Sequence, residues 1–297
     1  MRGRRCSRGG QLASPSLKFA VATYERPTLH DNDFDFLAPV LRRRGAEVEA
    51  PAWSKASVDW EEFDLVLVSS TWDYHTRTDE FRAWLRKVDR LTTLRNPRKT
   101  IEWNLDKRYL IQLERAGVPT IPTIWTEPGN EDEIEATVAE LGWSDVVIKP
   151  VVDLGAERLA RVETTMVGRI LRSLDEPAMA QPFLSAVERE GELSLIFIEG
   201  ELSHALRKVP ARGDFRVQSR YGASEERVEA PAEAVEIGRM ALSEAPEVPL
   251  YGRVDLLADD QGDLRVLELE LIEPNLYLAI HPPAADALAE AILALAG

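Results

Sequence analysis

The stretch of residues 251–274 alternates apolar and polar side chains so regularly that it predicts two β-strands. Successive side chains of a strand point to opposite faces, so residues 253–256 place two apolar groups on one face and two charged groups on the other. Residues 267–271 repeat the pattern with alternating leucine and glutamate. Gln261-Gly262 is a turn signal between the two runs. The segment is therefore predicted to be a β-hairpin.

A two-residue loop at this turn fixes which residues lie opposite each other. The expected pairs are Asp255 with Glu268, Arg253 with Glu270, Val254 with Leu269 and Leu256 with Leu267. Two carboxylates directly opposite each other destabilise a ladder by a few tenths to about 1 kcal/mol. A divalent cation bound to the polar face would remove this repulsion. The alternative is a solvated strand face on which the glutamates only promote solubility.

Composition limits the chemistry of any metal site. The 297 residues include one cysteine, Cys6, and four histidines without ligand spacing. A disulfide within the chain is excluded, and the single cysteine is typical of a reducing cytoplasm. A metal site must then be built from oxygen ligands, which favours magnesium or manganese over zinc.

The net charge of −15 argues against nucleic acid as a partner. Residues 1–17 carry four arginines and no acidic residue, so the remainder of the chain is still more acidic. This basic start is predicted to be a disordered tail rather than a signal peptide, because it has no apolar core. No apolar run is long enough to span a bilayer, which argues against a membrane protein.

The N-terminal part of the chain predicts a small parallel α/β layer. Apolar runs at residues 17–23 and 63–69 are typical of buried strands, and residues 35–44 between them form a predicted helix. The second strand leads into a polar and aromatic loop that contains Trp72, Asp73 and Tyr74. Open α/β sheets bind ligands at this end of their strands, so these three residues are candidates for a substrate pocket. The loop of residues 218–222 and the stretch of residues 273–275 are expected to shape the same pocket. The alternative is a helix-capping loop with a packed tryptophan.

Two lysines of the central region stand out. Lys107 lies in the first turn of a helix predicted over residues 104–117, where the helix dipole disfavours a cation. Lys149 ends an apolar strand, and lysine is rarely buried without a partner. The loop that follows, residues 151–158, contains a single glycine, Gly155. A further hairpin is expected near residues 191–208, followed by a polar loop over residues 213–222.

Together these pieces resemble the ATP-grasp superfamily, and within it the bacterial glutathione synthetase-like and D-alanine:D-alanine ligase-like carboxylate ligases. The resemblance covers roughly residues 96–280 and depends on the order of the motifs more than on any single one. The motifs are Lys107, Ile148-Lys-Pro150, Gln181-Pro-Phe-Leu184, Gly191-Glu192, Arg207-Lys208, Gly213-Asp-Phe-Arg216, Arg253-Val-Asp255 and Glu268-Leu-Glu270.

The resemblance implies an α/β fold with the ATP-grasp architecture, in which a small N-terminal parallel layer precedes two lobes that clasp ATP. The expected parts are the tail at 1–17, an N-terminal α/β domain at 18–104, a small lobe at 105–182 and a C-terminal lobe at 183–297.

The resemblance also implies an ATP site. Lys107 and Lys149 would reach the phosphates, with Gly155 in the covering loop. The segment Gln181, Phe183 and Leu184 would lie along the adenine edge, and Glu192 would hold the ribose hydroxyls. A carboxylate accepts two hydroxyl hydrogen bonds well. Alternatively, Glu192 forms a plain cross-strand salt bridge with Arg207.

For the hairpin, the resemblance implies that Asp255, Glu268 and Glu270 hold one or two magnesium ions, with manganese as an alternative. Many relatives have asparagine at the position of Glu270, which makes this site one charge more negative. Arg253, Lys208 and Arg216 would neutralise the transferring phosphoryl group and the tetrahedral oxyanion, because such transition states need positioned charge.

The implied function is an ATP-dependent carboxylate ligase. It would activate a small amino-acid-like carboxylate as an acyl phosphate, which an amine or similar nucleophile of the same or a second molecule displaces with release of ADP and phosphate. A homo-oligomer is compatible with the sequence. Relatives usually have several glycines in the loop that here holds only Gly155, so a catalytically impaired nucleotide-binding protein is the alternative function. A third possibility is an acidic interaction protein that binds no nucleotide.

Overall fold

A computed structural model describes residues 16–25 and 32–296 of the chain. The basic tail predicted at residues 1–17 therefore lies almost entirely outside the described residues. Within them, no helix is both long enough and apolar enough to span a membrane.

The N-terminal part is a layer of four parallel strands flanked by helices, as predicted. Its strands follow the spatial order β2-β1-β3-β4, so the ligand-binding end of the sheet lies beyond β1 and β3. The elements are β1 (Lys18–Thr23), α1 (Asn32–Arg43), β2 (Glu47–Glu49), β3 (Leu65–Ser70), α2 (Thr78–Leu91) and β4 (Thr93–Arg95).

The middle part is a four-stranded antiparallel sheet with two helices packed on it. Its strand order is β5-β8-β6-β7. The elements are α3 (Arg98–Asn104), α4 (Tyr109–Arg115), β5 (Ile124–Thr126), α5 (Glu131–Glu140), β6 (Asp145–Pro150), β7 (Ala160–Glu163), α6 (Val167–Leu174) and β8 (Ala178–Pro182).

The continuous helix predicted over residues 104–117 is wrong. Asn104 ends α3 instead of beginning a helix, and α4 starts only at Tyr109. The Asn104 amide instead bonds to a distant strand, donating to the carbonyl of Leu269 and accepting from the amide of Leu271, each at 2.8 Å. Lys107 consequently lies in the junction between two helices rather than in a first helical turn.

The C-terminal part is a five-stranded antiparallel sheet with the order β11-β10-β9-β12-β13. Its core contains Ile196 and Ile198, and it is continuous with residues of the N-terminal layer such as Phe19 and Leu37. The elements are α7 (Ala186–Arg189), β9 (Glu192–Ile198), β10 (Glu201–Val209), β11 (Ser224–Val228), α8 (Ala232–Ser243), β12 (Tyr251–Ala258), β13 (Leu264–Glu270) and α9 (Pro283–Ala296). The domain boundaries predicted at 104/105 and 182/183 fall at the ends of α3 and β8.

The β12–β13 hairpin has the predicted register around its charged face. Asp255 lies opposite Glu268 and Arg253 lies opposite Glu270. The predicted pair of Leu256 with Leu267 is wrong, because an irregularity after Asp255 pairs Leu256 with Val266. One extra residue on β13 produces this shift, as in a β-bulge.

The Asn96 side chain ties the N-terminal layer to the C-terminal sheet. It is fully buried, and its amide nitrogen donates to the carbonyls of Tyr251 and Leu271 at 2.8 and 2.7 Å. Its oxygen accepts from the amides of Leu250 and Tyr251 at 2.6 and 3.3 Å. One side chain thus satisfies four backbone groups of the strands that carry the hairpin.

We expect Asn96→Ala to lower the free energy of unfolding by about 3 kcal/mol, because it leaves buried donors and acceptors without partners. Chemical denaturation measures this change. Gln261→Ala, in the exposed hairpin turn, is the control and should change stability by less than about 0.5 kcal/mol. Equal effects of the two substitutions would contradict the bridging role of Asn96.

Candidate active site

A cavity of about 570 Å³ lies where the three parts of the chain meet. Most of the residues that the sequence predicted for the site line it. They are Trp72, Tyr74, Lys107, Lys149, Gly155, Gln181, Phe183, Leu184, Glu192, Lys208, Arg216, Arg253, Asp255, Glu268 and Glu270.

Asp73 is the predicted site residue that does not line the cavity. Its carboxylate accepts a hydrogen bond of 2.6 Å from the Trp53 indole and lies 3.6 Å from the Arg77 guanidinium. Its neighbours Trp72 and Tyr74 point the other way, into the cavity wall. Asp73 thus stabilises the loop internally, while the two aromatic residues are placed to contact a ligand.

Asp255 is the centre of a buried ion network in the cavity floor. It accepts hydrogen bonds from Ser194 and from the Arg253 guanidinium, whose Nε lies 3.0 Å away, and it lies 3.4 Å from the Lys208 ammonium. Burial opposes ionisation, but Arg253 and Lys208 outweigh it and lower the pKa of Asp255 below its usual range. Arg253 also pairs with Glu270 across the hairpin.

Glu192 pairs with Lys208, which lies directly opposite it on β10. The alternative salt bridge with Arg207 is not formed, because Arg207 is paired in register with Leu193 and donates to the Glu190 carbonyl. Burial, reinforced by the Asp255 charge, raises the pKa of Glu192 to about 7 despite the lysine. Burial likewise raises the pKa of Glu270 to about 7.

The two lysines of the middle part differ in their surroundings. Lys107 donates to the Asp153 carbonyl at 2.8 Å and lies 3.1 Å from the Glu268 carboxylate. Lys149 is 95% buried, but it forms no ion pair within residues 16–25 and 32–296, and burial lowers its pKa. A buried ammonium group in a cavity wall without a counter-ion is suited to binding an anion.

The loop with few glycines is fastened over the cavity by side chains of the opposite lobe. Arg220 donates to the Gly155 carbonyl and pairs with Glu157 at 2.9 Å, and the Tyr221 hydroxyl lies 3.5 Å from the Ala156 carbonyl. Gly155 has φ of +65°, a conformation that glycine adopts without strain. The sequence predicted the loop of residues 218–222 at the substrate pocket but not the contact of Arg220 with Gly155, since only the fold brings residues 155 and 220 together.

The carboxylates of the hairpin fit magnesium in donor chemistry. Asp255, Glu268 and Glu270 all offer hard oxygen ligands, and Asp255 lies opposite Glu268 in the hairpin. Among residues 16–25 and 32–296, no three acidic, histidine or cysteine side chains converge closely enough to hold a metal ion alone. Magnesium in phosphoryl-transfer sites is usually held by one or two carboxylates together with phosphate oxygens and water, so this spacing fits a metal that arrives with a nucleotide.

The two lysines allow a matched test of this electrostatic description. We expect Lys149→Met to stabilise the ligand-free protein by about 1 kcal/mol, because it removes a buried ammonium group whose loss of hydration outweighs the attraction of Glu268. Lys107→Met should instead destabilise it by about 2 kcal/mol, since it leaves Glu268 unpaired. Denaturant unfolding without ligand measures both, and a loss of stability in both variants would contradict the different surroundings of the two ammonium groups.

Comparisons with known proteins agree with this geometry. Residues 19–96 match the family described as the N-terminal domain of D-cycloserine synthetase DcsG, and residues 118–248 match the ATP-grasp domain of prokaryotic glutathione synthetase. The cycloserine biosynthesis protein DcsG of Streptomyces lavendulae is 33% identical over 286 residues, which cover 88% of this chain and 93% of that protein.

Solved structures of ATP-grasp ligases also resemble this chain. The crystal structure of D-cycloserine synthetase DcsG has a TM-score of 0.86 at 28% identity, covering 94% of this chain and 100% of that one. The D-alanine–D-alanine ligase of Bacillus anthracis, solved with ATP, shares the fold with a TM-score of 0.68 at 15% identity, covering 95% and 97%. The chain therefore belongs to the ATP-grasp ligases, in the family that includes DcsG.

Proposed function

We propose that this ATP-dependent ligase closes a ring within a small amino acid. The observation that carries the proposal is the match of residues 19–96 to the DcsG N-terminal domain, because that layer contributes Trp72 and Tyr74 to the cavity. D-Cycloserine is a cyclic hydroxamate whose ring contains a C–N bond between a carboxyl carbon and an oxyamine nitrogen. A ligase that activates the carboxylate and lets the nitrogen of the same molecule attack it forms such a ring.

One set of cavity residues binds the nucleotide. Lys149 and Lys107 bind the phosphates, and the segment Gln181, Phe183 and Leu184 lies along the base. Glu192, paired with Lys208 in the ligand-free protein, accepts hydrogen bonds from the ribose hydroxyls.

ATP-grasp ligases use ATP and magnesium, and here Asp255, Glu268 and Glu270 would hold the metal. A bound magnesium ion supplies charge neutralisation at the phosphate oxygens. Manganese offers the same coordination chemistry.

The reaction consists of two displacements. A substrate carboxylate oxygen attacks the γ-phosphorus, and the bond to the bridging oxygen breaks as ADP leaves. The substrate nitrogen then attacks the acyl carbon, loses its proton to solvent and displaces phosphate. Arg253, Lys208 and Arg216 stabilise the negative charge that develops in both steps.

Coupled ADP-release assays test this function. Hydrolysis of the ring C–N bond of D-cycloserine gives β-aminooxy-D-alanine, so this compound, its N-substituted forms and a panel of amino acids are the first substrates. We expect one of them to stimulate ADP release with magnesium and to yield a product that contains a single substrate molecule, as detected by mass spectrometry. A product that joins two molecules would contradict ring closure, and no ADP release with any substrate would contradict the ligase assignment.

Lys149→Ala should reduce this activity by about a hundredfold or more, because it removes a positioned charge from the phosphate site. Lys99→Ala is the matched control, since Lys99 is exposed and pairs only with Glu247 at the surface. An active Lys149→Ala enzyme would contradict the assigned phosphate site.

Arg220→Ala tests the loop contact. We expect the KM for ATP to rise about threefold to tenfold with a smaller change in kcat, because the variant loses the bonds that hold residues 155–157 over the cavity. Arg239→Ala, which breaks an exposed pair with Glu201, serves as the control. A kcat effect without any KM effect would contradict a role in covering the nucleotide.

A further inference from the structure

Glu273 is a buried acid of the cavity that the roles above do not use. It follows the hairpin, is 93% buried, and its Oε2 has no hydrogen-bond partner among the described residues. Tyr74 of the N-terminal layer is a neighbour of this carboxyl group and acts to lower its pKa. Both residues line the cavity that also contains the phosphate-binding lysines.

Apolar side chains line the end of the cavity that contains Tyr74 and Glu273. Four residues of one hydrophobic cluster also line the cavity: Tyr74, Leu105, Leu154 and Ile272. The Trp72 indole lies over this end and donates to the Glu273 carbonyl at 3.4 Å. Desolvation of an acid without a full set of partners costs free energy, so its retention here calls for a ligand.

The backbone that carries Glu273 is held rigidly. The Asp33 carboxylate of α1 accepts the amides of Leu276 and Leu278 at 2.5 and 2.8 Å. The Tyr251 hydroxyl donates to the Ile272 carbonyl at 3.0 Å, and Arg253 donates to the Asn275 carbonyl at 3.2 Å. The backbone on both sides of Glu273 is therefore fixed in place relative to Arg253.

We infer that Glu273 and Tyr74 form the site that binds the positively charged amino group of the substrate, an inference that rests on the proposed function. An ammonium group supplies three donors for the free carboxylate oxygen and its neighbours. The faces of Trp72 and Tyr74 also attract an organic cation. A magnesium ion would fit poorly, since it requires six oxygen ligands and no three acidic, histidine or cysteine side chains of the described residues converge to hold one.

Electrostatics support the same ligand. Burial and the neighbouring Glu270 charge raise the pKa of Glu273 well above its usual range, although Lys107 opposes the shift. Such a group is ionised most readily when a cation lies beside it.

Binding measurements in the presence of ADP and magnesium test the inference with two ligand pairs. D-Cycloserine is compared with isoxazolidin-3-one, the same ring without the amino group, and D-alanine is compared with D-lactate. We expect wild-type protein to bind the amine-bearing member of each pair about tenfold tighter or more, and Glu273→Gln to lose this preference while it binds the amine-free members unchanged. Tyr74→Phe should reduce the preference about threefold.

Glu225→Gln is the matched control, because Glu225 is another acid of the cavity wall and the charges that act on it are Lys208 and Arg253. It should keep the preference, and ADP-dependent thermal stabilisation of every variant shows that it is folded. A preference that persists in Glu273→Gln would overturn the inference, as would wild-type protein that binds no amine-bearing ligand. Equal weakening of all four ligands with a higher magnesium requirement would also overturn it, by assigning Glu273 to the metal.

The two proposals can fail separately. If the alanine–lactate pair shows the preference and the ring compounds do not bind, the ammonium site stands and the ring-closing function is wrong.

Discussion

The buried carboxylate of Asp255 is the group on which the arrangement of the cavity depends. A charge taken out of water must be paired and hydrogen-bonded, or it destabilises the fold by several kcal/mol. Asp255 therefore fixes Ser194, Lys208 and Arg253 around it. Lys208 in turn orients Glu192, and Arg253 orients Glu270. The register of the three adjacent strands β10, β9 and β12 thus fixes the relative positions of these charged groups on one face of the sheet.

This network also explains how a site built for a highly charged ligand can be stable without it. The cations that would face phosphates are paired with the carboxylates that would hold the metal, as Lys107 is with Glu268. With the proposed roles, entry of a metal–nucleotide complex would exchange these pairs for new ones of the same kind, so little charge would be left uncompensated at either stage. Lys149 is different, since it forms no ion pair among the described residues and the attraction of Glu268 does not offset its burial, which favours an incoming anion.

Sequence reasoning succeeded where a pattern is local and periodic. The turn predicted at Gln261-Gly262 placed Asp255 opposite Glu268, and the alternation along residues 253–271 agrees with it, since a slip of one residue would move the leucines to the other face. It failed one residue further on, because a bulge has no signature in the alternation. The helix break after Asn104 was missed for a related reason, since its amide is recruited by β13 from far along the chain. Residues 218–222 and 273–275 were expected at the substrate pocket, but the contact of Arg220 with Gly155 and the burial of Glu273 depend on the completed fold. Asp73 looked identical to its neighbours until the direction of its side chain was known.

The division of the cavity bears on the choice between joining two molecules and closing a ring. Its charged floor, from Lys149 to Asp255, suits phosphates and a metal, which leaves the apolar end beside Trp72, Tyr74 and Glu273 for the substrate. A second amine would need a binding site of its own, with groups to orient it toward the acyl carbon. A nitrogen carried by the activated molecule needs none, because its local concentration is set by the covalent chain that links it to the carboxylate. In that case, holding the substrate at its amino group and at its carboxylate is enough to direct the third group, the nucleophile, to the reacting carbon.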